Sequence, residues 1–86
     1  MKTIWKYQIE LSDTPSAIQV PENAVIVLIE TQNELPVIWF EVETSHSLRE
    51  RKFAVHGTGH RIPRDGRSHV ASFISSPFVW HVYELI

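Results

Sequence analysis

The stretch that decides the fold is residues 5–11, which read Trp5-Lys6-Tyr7-Gln8-Ile9-Glu10-Leu11. Apolar side chains occupy every second position, and polar side chains occupy the positions between them. Because successive side chains of a β-strand point to opposite faces, this period of two predicts a strand with one buried and one solvated face. No segment of the chain has the 3.6-residue period that is typical of an amphipathic helix. The sequence therefore predicts an all-β protein.

The same criteria divide the rest of the chain into strands separated by breaks rich in Pro, Gly, Ser and Asn. The predicted strands are residues 17–20, 24–29, 37–43, 50–56, 69–74 and 78–85, with a long loop over residues 57–68. Together with residues 5–11 they predict six to seven short, mostly antiparallel strands in a small sandwich or open barrel. The 86 residues are expected to form one domain, residues 1–86, because a chain of this length has no room for a second core.

Residues 24–29, Ala-Val-Ile-Val-Leu-Ile, are apolar at every position. This run predicts either a central strand or a strand whose outer face is covered by another subunit. A small domain with a limited core often gains stability by association, so a homo-oligomer, either a dimer or a tetramer, is expected. The run is too short to span a bilayer, which needs about 20 apolar residues. With no cysteine and no predicted secretion signal, the expected location is the cytoplasm of a host cell.

Basic residues are concentrated in residues 49–67, which hold six of the eight Lys and Arg residues against two acids, a net charge of +4. These six are Arg49, Arg51, Lys52, Arg61, Arg64 and Arg67. The whole chain carries a net charge of –2. Duplex nucleic acid usually recruits a broad basic surface, so a basic patch confined to one segment argues against that partner. It predicts a compact anionic ligand, and a small nucleotide is the expected partner.

Gly57-Thr58-Gly59-His60 lies inside this basic segment. Backbone amides of a glycine turn can form a concave anion site, and the Thr58 hydroxyl can donate to a phosphate oxygen. The competing interpretation is a turn that needs a positive φ angle at one or both glycines. His60 is predicted to donate to an anion or a base, and the guanidinium groups of Arg51 and Arg61 match phosphate oxygens.

Trp39 and Phe40 are adjacent, so in a regular strand their rings point to opposite faces. One ring is therefore exposed, at a subunit interface or lining a pocket. A base stacked on such a ring contributes about 1–3 kcal/mol, and Trp39 is the predicted stacking residue. The predicted ligand-binding residues are Trp39, Arg51, Gly57, Thr58, Gly59, His60 and Arg61.

The sequence gives little indication of catalysis or of a metal site. No Ser/His/Asp or Cys/His arrangement is recognisable, so the protein is expected not to be an enzyme and to use no cofactor. His56 and His60 are four residues apart, but two glycines lie between them and no carboxylate stands at ligand spacing, so no metal site is predicted. His81 is predicted to be a strand residue with a hydrogen-bonded ring nitrogen.

Several motifs together resemble a family of small phage-encoded proteins of unknown function. They are Ile4-Trp5-Lys6-Tyr7 near the start, Trp39, Arg51 with Phe53, Gly57-Thr58-Gly59-His60, and the closing His81-Val82-Tyr83-Glu84. The resemblance implies a short, single-domain, all-β protein and no particular chemistry. The three arginines between His60 and His69 are not required by the family pattern, so ligand contacts are not transferred through that stretch.

Phage proteins of similar size and build include oligomeric sponges that sequester the cyclic nucleotide signals of bacterial antiphage systems, of the cyclic-oligonucleotide and Thoeris types. By this analogy the expected function is non-catalytic binding of a nucleotide immune signal, such as a cyclic dinucleotide, to block antiphage defence. The alternative is a protein-binding inhibitor or structural phage component that uses residues 24–29 and Trp39 as its contact surface.

Overall fold

The computed structural model describes all residues 1–86 and contains seven β-strands and no helix. No segment is therefore a helix long and apolar enough to cross a membrane. The strands are β1 (Lys2–Gln8), β2 (Ser16–Pro21), β3 (Val25–Gln32), β4 (Leu35–Glu43), β5 (Leu48–Gly57), β6 (Ser68–Ser75) and β7 (Phe78–Glu84). The strand count and the all-β class confirm the prediction made from the alternating pattern.

The strands form two antiparallel sheets. One has three strands in the order β1-β4-β3, and the other has four strands in the order β2-β5-β7-β6. The two sheets do not close on one another, so the protein is a small sandwich and not a barrel.

The core lies between the sheets and is built from side chains at alternating strand positions. Phe40 of β4 and Phe53 of β5 meet across it, edge to face, with 6.2 Å between ring centroids. Both are at most 1 % exposed, as are Ile38 of β4 and Val82 of β7. Alternation along β4 and β5 therefore places one apolar face of each sheet against the other, as sandwich packing requires.

Residues 24–29 were predicted to form either a central strand or a strand covered by another subunit, and the first alternative is wrong. Residues 25–29 belong to β3, an edge strand of the three-stranded sheet, and the central strand of that sheet is β4. Val25 and Leu28 are 60 % and 47 % exposed. An irregularity in the pairing with β4 lies between Ile26 and Leu28. A continuous apolar run is typical of a strand covered on both faces, but within one protomer only the inner face of β3 is covered.

The loop that carries the basic residues connects β5 to β6. Residues 58–67 lie outside the strands, because β5 continues through Gly57 and β6 begins at Ser68. The predicted loop over residues 57–68 is confirmed to within one residue at each end. Its first turn lies beside the hairpin that joins β6 to β7, since Gly57 pairs with Trp80 of β7.

Candidate functional site

A cleft of about 390 Å³ lies between the start of the 58–67 loop and the β6–β7 hairpin. Its lining residues are Gly57, Thr58, His60, Pro77, Phe78, Val79 and Trp80. The rings of Phe78 and Trp80 lie 6.0 Å apart, and Phe78 is 60 % exposed. The His60 ring packs edge to face on the Trp80 indole, with 6.2 Å between centroids. The cleft thus combines two aromatic rings that a ligand can reach with one polar ring.

The two glycines shape this cleft in different ways. A Cβ atom on Gly57 would lie 2.9 Å from His60 Cε1, closer than real Cβ atoms come, and 3.1 Å from Trp80 Cζ3, which is also unusually tight. Gly57 is therefore needed for both rings to approach the backbone. Gly59 has φ of 87°, and the His60 N–H donates to the Gly57 carbonyl at 3.0 Å. These are features of a type II turn, which favours glycine at its third position, so the turn interpretation is confirmed at Gly59.

Few backbone amides of this turn remain free for an anion. The Gly57 N–H donates to His60 Nδ1 at 3.1 Å, and the Thr58 N–H donates to the Val79 carbonyl at 3.3 Å. Within the turn, the N–H of Gly59 has no partner in the protein. Because His60 Nδ1 accepts a hydrogen bond, the proton of the neutral ring is on Nε2, which is left as a free donor. The donors of this turn that have no partner in the protein are the Gly59 amide and His60 Nε2.

The Thr58 hydroxyl is engaged within the protein, so its predicted role as a phosphate donor does not hold. It donates to the Val79 carbonyl at 3.1 Å and lies 2.9 Å from His81 Nε2. A hydroxyl has one hydrogen, so Thr58 accepts from His81 Nε2–H. His81 Nδ1 then accepts from the Ser72 hydroxyl at 2.7 Å, and Ser72 accepts from His69 Nε2 at 2.9 Å.

This chain of hydrogen bonds runs from His69 to the Val79 carbonyl and fixes Thr58 at the edge of the cleft. It confirms that His81 is a strand residue with a hydrogen-bonded ring. The sequence did not reveal the Ser72–His81 contact, because it depends on the pairing of β6 with β7, in which the two residues are directly opposite. No cluster of three or more His or carboxylate side chains that could hold a metal ion is formed.

A second, smaller cleft of about 290 Å³ shares the His60–Trp80 pair with the first. Its other lining residues are Leu11, Ser12, Asp13 and Val55. Asp13 is exposed and forms no ion pair. Two clefts therefore lie on either side of one His60–Trp80 pair, and the second contains a carboxylate that can accept hydrogen bonds from a ligand.

In the fold, most of the positive charges of the basic segment, residues 49–67, are neutralised by nearby carboxylates. Four of its six cations form ion pairs: Arg49 with Glu22, Arg51 with Glu84, Lys52 with Glu50 and Arg67 with Asp65. Arg61 and Arg64 are exposed and have no carboxylate partner. Arg61 follows His60 directly and Arg64 lies three residues further along the loop, and these are the two cations of the segment free to meet an anion.

Arg51 was predicted to bind the ligand, but the fold gives it a structural role. Its guanidinium makes two bonds to the Glu84 carboxylate, at 2.6 and 2.8 Å, and a third to the Ala24 carbonyl at 2.9 Å. The same group lies 5.2 Å from the Phe40 ring centroid and 5.6 Å from that of Phe53. With these contacts Arg51 joins the two sheets and has little capacity left for a ligand.

Trp39 was also predicted to bind the ligand, but it lies on the other sheet. It is in β4, opposite Lys6 of β1 and Leu28 of β3, and does not line either cleft beside His60. Phe40 is fully buried and Trp39 is half-buried, so the inference that only one of the adjacent rings faces the core is confirmed. The aromatic residue beside Gly57 and His60 is Trp80, which was not among the predicted ligand-binding residues.

Arg67 ties the end of the long loop to β5. Its guanidinium binds Asp65 at 2.6 and 2.9 Å and donates to Nε2 of the buried His56 at 3.1 Å. Hydrogen bonds from Arg67 lower the pKa of Asp65 to about 2. Burial, and then the positive charge of Arg67, lower the pKa of His56 below its usual value. His56 is therefore a neutral acceptor that helps to hold the loop against the sheet.

We expect this histidine to make stability fall as the pH is lowered through about 6.5, its usual value in an unfolded chain. A histidine whose folded pKa is depressed binds its proton preferentially in the unfolded state, so the contribution of neutral His56 is complete above that pH and is lost below it. Urea unfolding at pH 7.5 and 5.5 checks this, with His56→Gln as the matched variant, because glutamine keeps an acceptor for Arg67. The native protein should lose more stability than the variant. An NMR titration showing a His56 pKa above 6.5 would contradict the interpretation.

Comparison with known proteins gives one match. A protein-family model described as Domain of unknown function (DUF7352) matches residues 1–86, the whole chain. No curated protein and no solved structure matches the chain.

Proposed function

The chain belongs to the DUF7352 family, whose function is unknown, and we propose from the site itself that it binds a small nucleotide without chemically changing it. The observation that carries this proposal is the position of the His60–Trp80 pair between two clefts, with Arg61 and Arg64 in the loop that follows His60. Aromatic surface, a neutral hydrogen-bond donor and unpaired guanidinium groups are the features that bases and phosphates require.

The aromatic floor of the larger cleft supports base binding. Any base has a π-face, and stacking on an aromatic side chain contributes about 1–3 kcal/mol per base. Phe78 offers an exposed ring, and Trp80 lies beside it. The His60 Nε2–H and the Gly59 N–H supply donors at the same end of the cleft. A base on Phe78 and Trp80 would thus leave its phosphate near these donors and the arginines that follow them.

Two clefts favour a ligand with two bases over a mononucleotide. The clefts share one wall, formed by His60 and Trp80, so a phosphate bridge passing over His60 would reach both. The carboxylate of Asp13 in the smaller cleft accepts hydrogen bonds and donates none when ionised. It would favour a base that presents N–H groups on the edge turned towards it, as guanine does. A dinucleotide, cyclic or linear, is the ligand class that fits this arrangement.

Sequestration, and not turnover, is the use proposed for this binding. His60 is the one titratable side chain in the larger cleft, and it forms no hydrogen bond with Asp13 of the smaller cleft, so the two do not make the coupled acid and base of the common hydrolytic mechanisms. The resemblance to small phage proteins extends the proposal: in an infected host cell the protein would hold a nucleotide immune signal and so block antiphage defence.

The test is to incubate the purified protein with separate mononucleotides, linear dinucleotides and cyclic dinucleotides, remove free ligand, and then heat-denature the protein. Chromatography and mass spectrometry identify what is released. Intact release of a dinucleotide supports the proposal, and a hydrolysed product identifies an enzyme instead. Retention of no nucleotide overturns the proposal. Arg61→Ala combined with Arg64→Ala should weaken binding, and Arg49→Ala, which removes a paired arginine of the same segment, is the control.

A further inference from the structure

The outer face of the three-stranded sheet carries apolar side chains around Trp39, and the other sheet does not pack against it. Directly opposed residues of paired strands share a face, so Lys6, Trp39 and Leu28 lie side by side on it, and Ile4, Glu41 and Val25 form the next row. Ile4 is 49 % exposed and Leu28 is 47 % exposed. A contiguous apolar surface with a polar rim is typical of a protein-binding site.

The charges on this face are arranged in a self-complementary way. Lys2 pairs with Glu41, and the N-terminal amine pairs with Glu43. Lys6 and Glu30 form no ion pair. Lys6 belongs to the edge strand β1 and Glu30 to the opposite edge strand β3, so the backbone positions of one cation and one anion without an ion-pair partner lie on the two sides of the face.

We propose that this face binds a second copy of the chain, with Lys6 of each protomer paired to Glu30 of its partner. A two-fold axis running along β4, midway between two such faces, places β1 of one protomer over β3 of the other. The same operation places β4 over β4, which buries both Trp39 rings at the centre. In a two-fold interface each contact occurs twice, so a single pair of complementary charges gives two ion pairs.

The register of the strands is compatible with these ion pairs. Lys6 is level with Leu28, and Glu30 is two residues further along β3, about 7 Å away at the usual rise of a strand. Lys6 Nζ donates to Gln32 Oε1 at 2.8 Å across its own sheet, so Lys6 exchanges this bond for the carboxylate of the partner's Glu30 when the dimer forms. Aligned sheets pack about 10 Å apart, which a lysine and a glutamate can span together.

This dimer leaves the two clefts of each protomer free, because both lie beside His60 and Trp80 at one end of the other sheet. It also accounts for the apolar character of both faces of β3, since the inner face packs in the protomer core and the outer face would pack against the partner. A face of three short strands lies at the small end of specific interfaces, so the dimer should dissociate in about the micromolar range.

Sedimentation equilibrium of the full chain tests the proposal through a charge exchange. Lys6→Glu and Glu30→Lys each create two like-charge contacts and should raise the dimer dissociation constant at least about tenfold at low salt. The double variant Lys6→Glu/Glu30→Lys restores opposite charges and should return the constant to within about threefold of the native value. Lys52→Glu, an exposed charge reversal on the other sheet, is the control and should change nothing.

Three outcomes overturn the proposal. One is a native protein that stays monomeric at concentrations far above micromolar, which would leave the face to a different protein. Another is a dimer that neither single variant weakens. The last is a double variant as weak as the singles, which would show that Lys6 and Glu30 do not meet. All the substituted side chains are exposed, so each variant should fold, and circular dichroism confirms that before the measurement.

Discussion

Arg51→Ala is expected to lower the free energy of unfolding by about 2–3 kcal/mol, which is a large loss for a domain of this size. The substitution removes both bonds to Glu84 and the bond to the Ala24 carbonyl, and it exposes the rings of Phe40 and Phe53 from one side. Glu84 is then left partly buried without its cation, which adds to the cost. Urea unfolding followed by tryptophan fluorescence measures the change.

The same variant separates structural from ligand-binding arginines. Protein that remains folded should bind nucleotide as tightly as the native protein, because Arg51 is already bound to Glu84. Arg61→Ala should do the reverse, leaving stability unchanged within about 0.5 kcal/mol and weakening binding, because Arg61 is exposed and unpaired. A double-mutant cycle with Glu84→Gln isolates the contribution of the pair. If Arg51→Ala abolished binding without loss of stability, the structural assignment of Arg51 would be wrong.

The role of Arg51 could have been predicted from the sequence by one further step. Alternation along residues 50–56 places Arg51 on the same face as Phe53 and Val55, which is the core face. A charged group on a core face needs a partner, so Arg51 was already a candidate for a structural ion pair. What the sequence could not supply was the partner, because Glu84 is 33 residues away and approaches only through the pairing of β5 with β7.

The positions of the strands along the sequence could be predicted, but which strands pair with one another could not. Alternation, apolar runs and turn residues are local properties, and they located all seven strands to within three residues at each end. The largest displacement is in β1, which was predicted over residues 5–11 and spans Lys2–Gln8. The order β1-β4-β3 and β2-β5-β7-β6 depends on long-range pairing, which no local pattern encodes. For this reason the sequence left two alternatives for residues 24–29, a central strand or a strand covered by another subunit. An apolar run cannot distinguish a neighbouring strand of the same chain from a surface of a second copy.

In the candidate site, too, residues close together in sequence could be predicted, and residues that meet only through strand pairing could not. One part of the site is continuous in sequence and comprises the glycine turn, His60 and the two free arginines. The turn, His60 and Arg61 were predicted from it as ligand-binding residues. Trp80 was missed because it meets Gly57 only in the register between β5 and β7. A faint signal existed, since a glycine at the end of an apolar strand often makes room for a large ring opposite it. Trp39 was predicted as the stacking residue because its neighbour Phe40 must point to the opposite face. That argument gives the face on which Trp39 lies but not the sheet to which its strand belongs.

Removing the indole beside His60 is expected to have the largest effect on binding. Trp80→Leu should weaken the affinity for the retained nucleotide by about ten- to a hundredfold, which corresponds to the loss of one stacked base. Leucine keeps the apolar contact that Trp80 makes with the core, so the variant should fold. Phe78→Ala, at a side chain that is 60 % exposed, should weaken binding as well and costs little stability. Isothermal titration calorimetry measures both.

Trp39→Leu is the matched control, because it removes the same type of side chain from the other sheet. A nucleotide that stacks on Trp80 should quench the fluorescence of the native protein and of Trp39→Leu, but should quench Trp80→Leu far less. Trp39→Leu should instead weaken the dimer, since Trp39 lies at the centre of the proposed interface. Equal loss of affinity in the two tryptophan variants would place the base elsewhere, and loss in Trp39→Leu alone would return the ligand to the three-stranded sheet. The two rings thus test the two proposed surfaces independently.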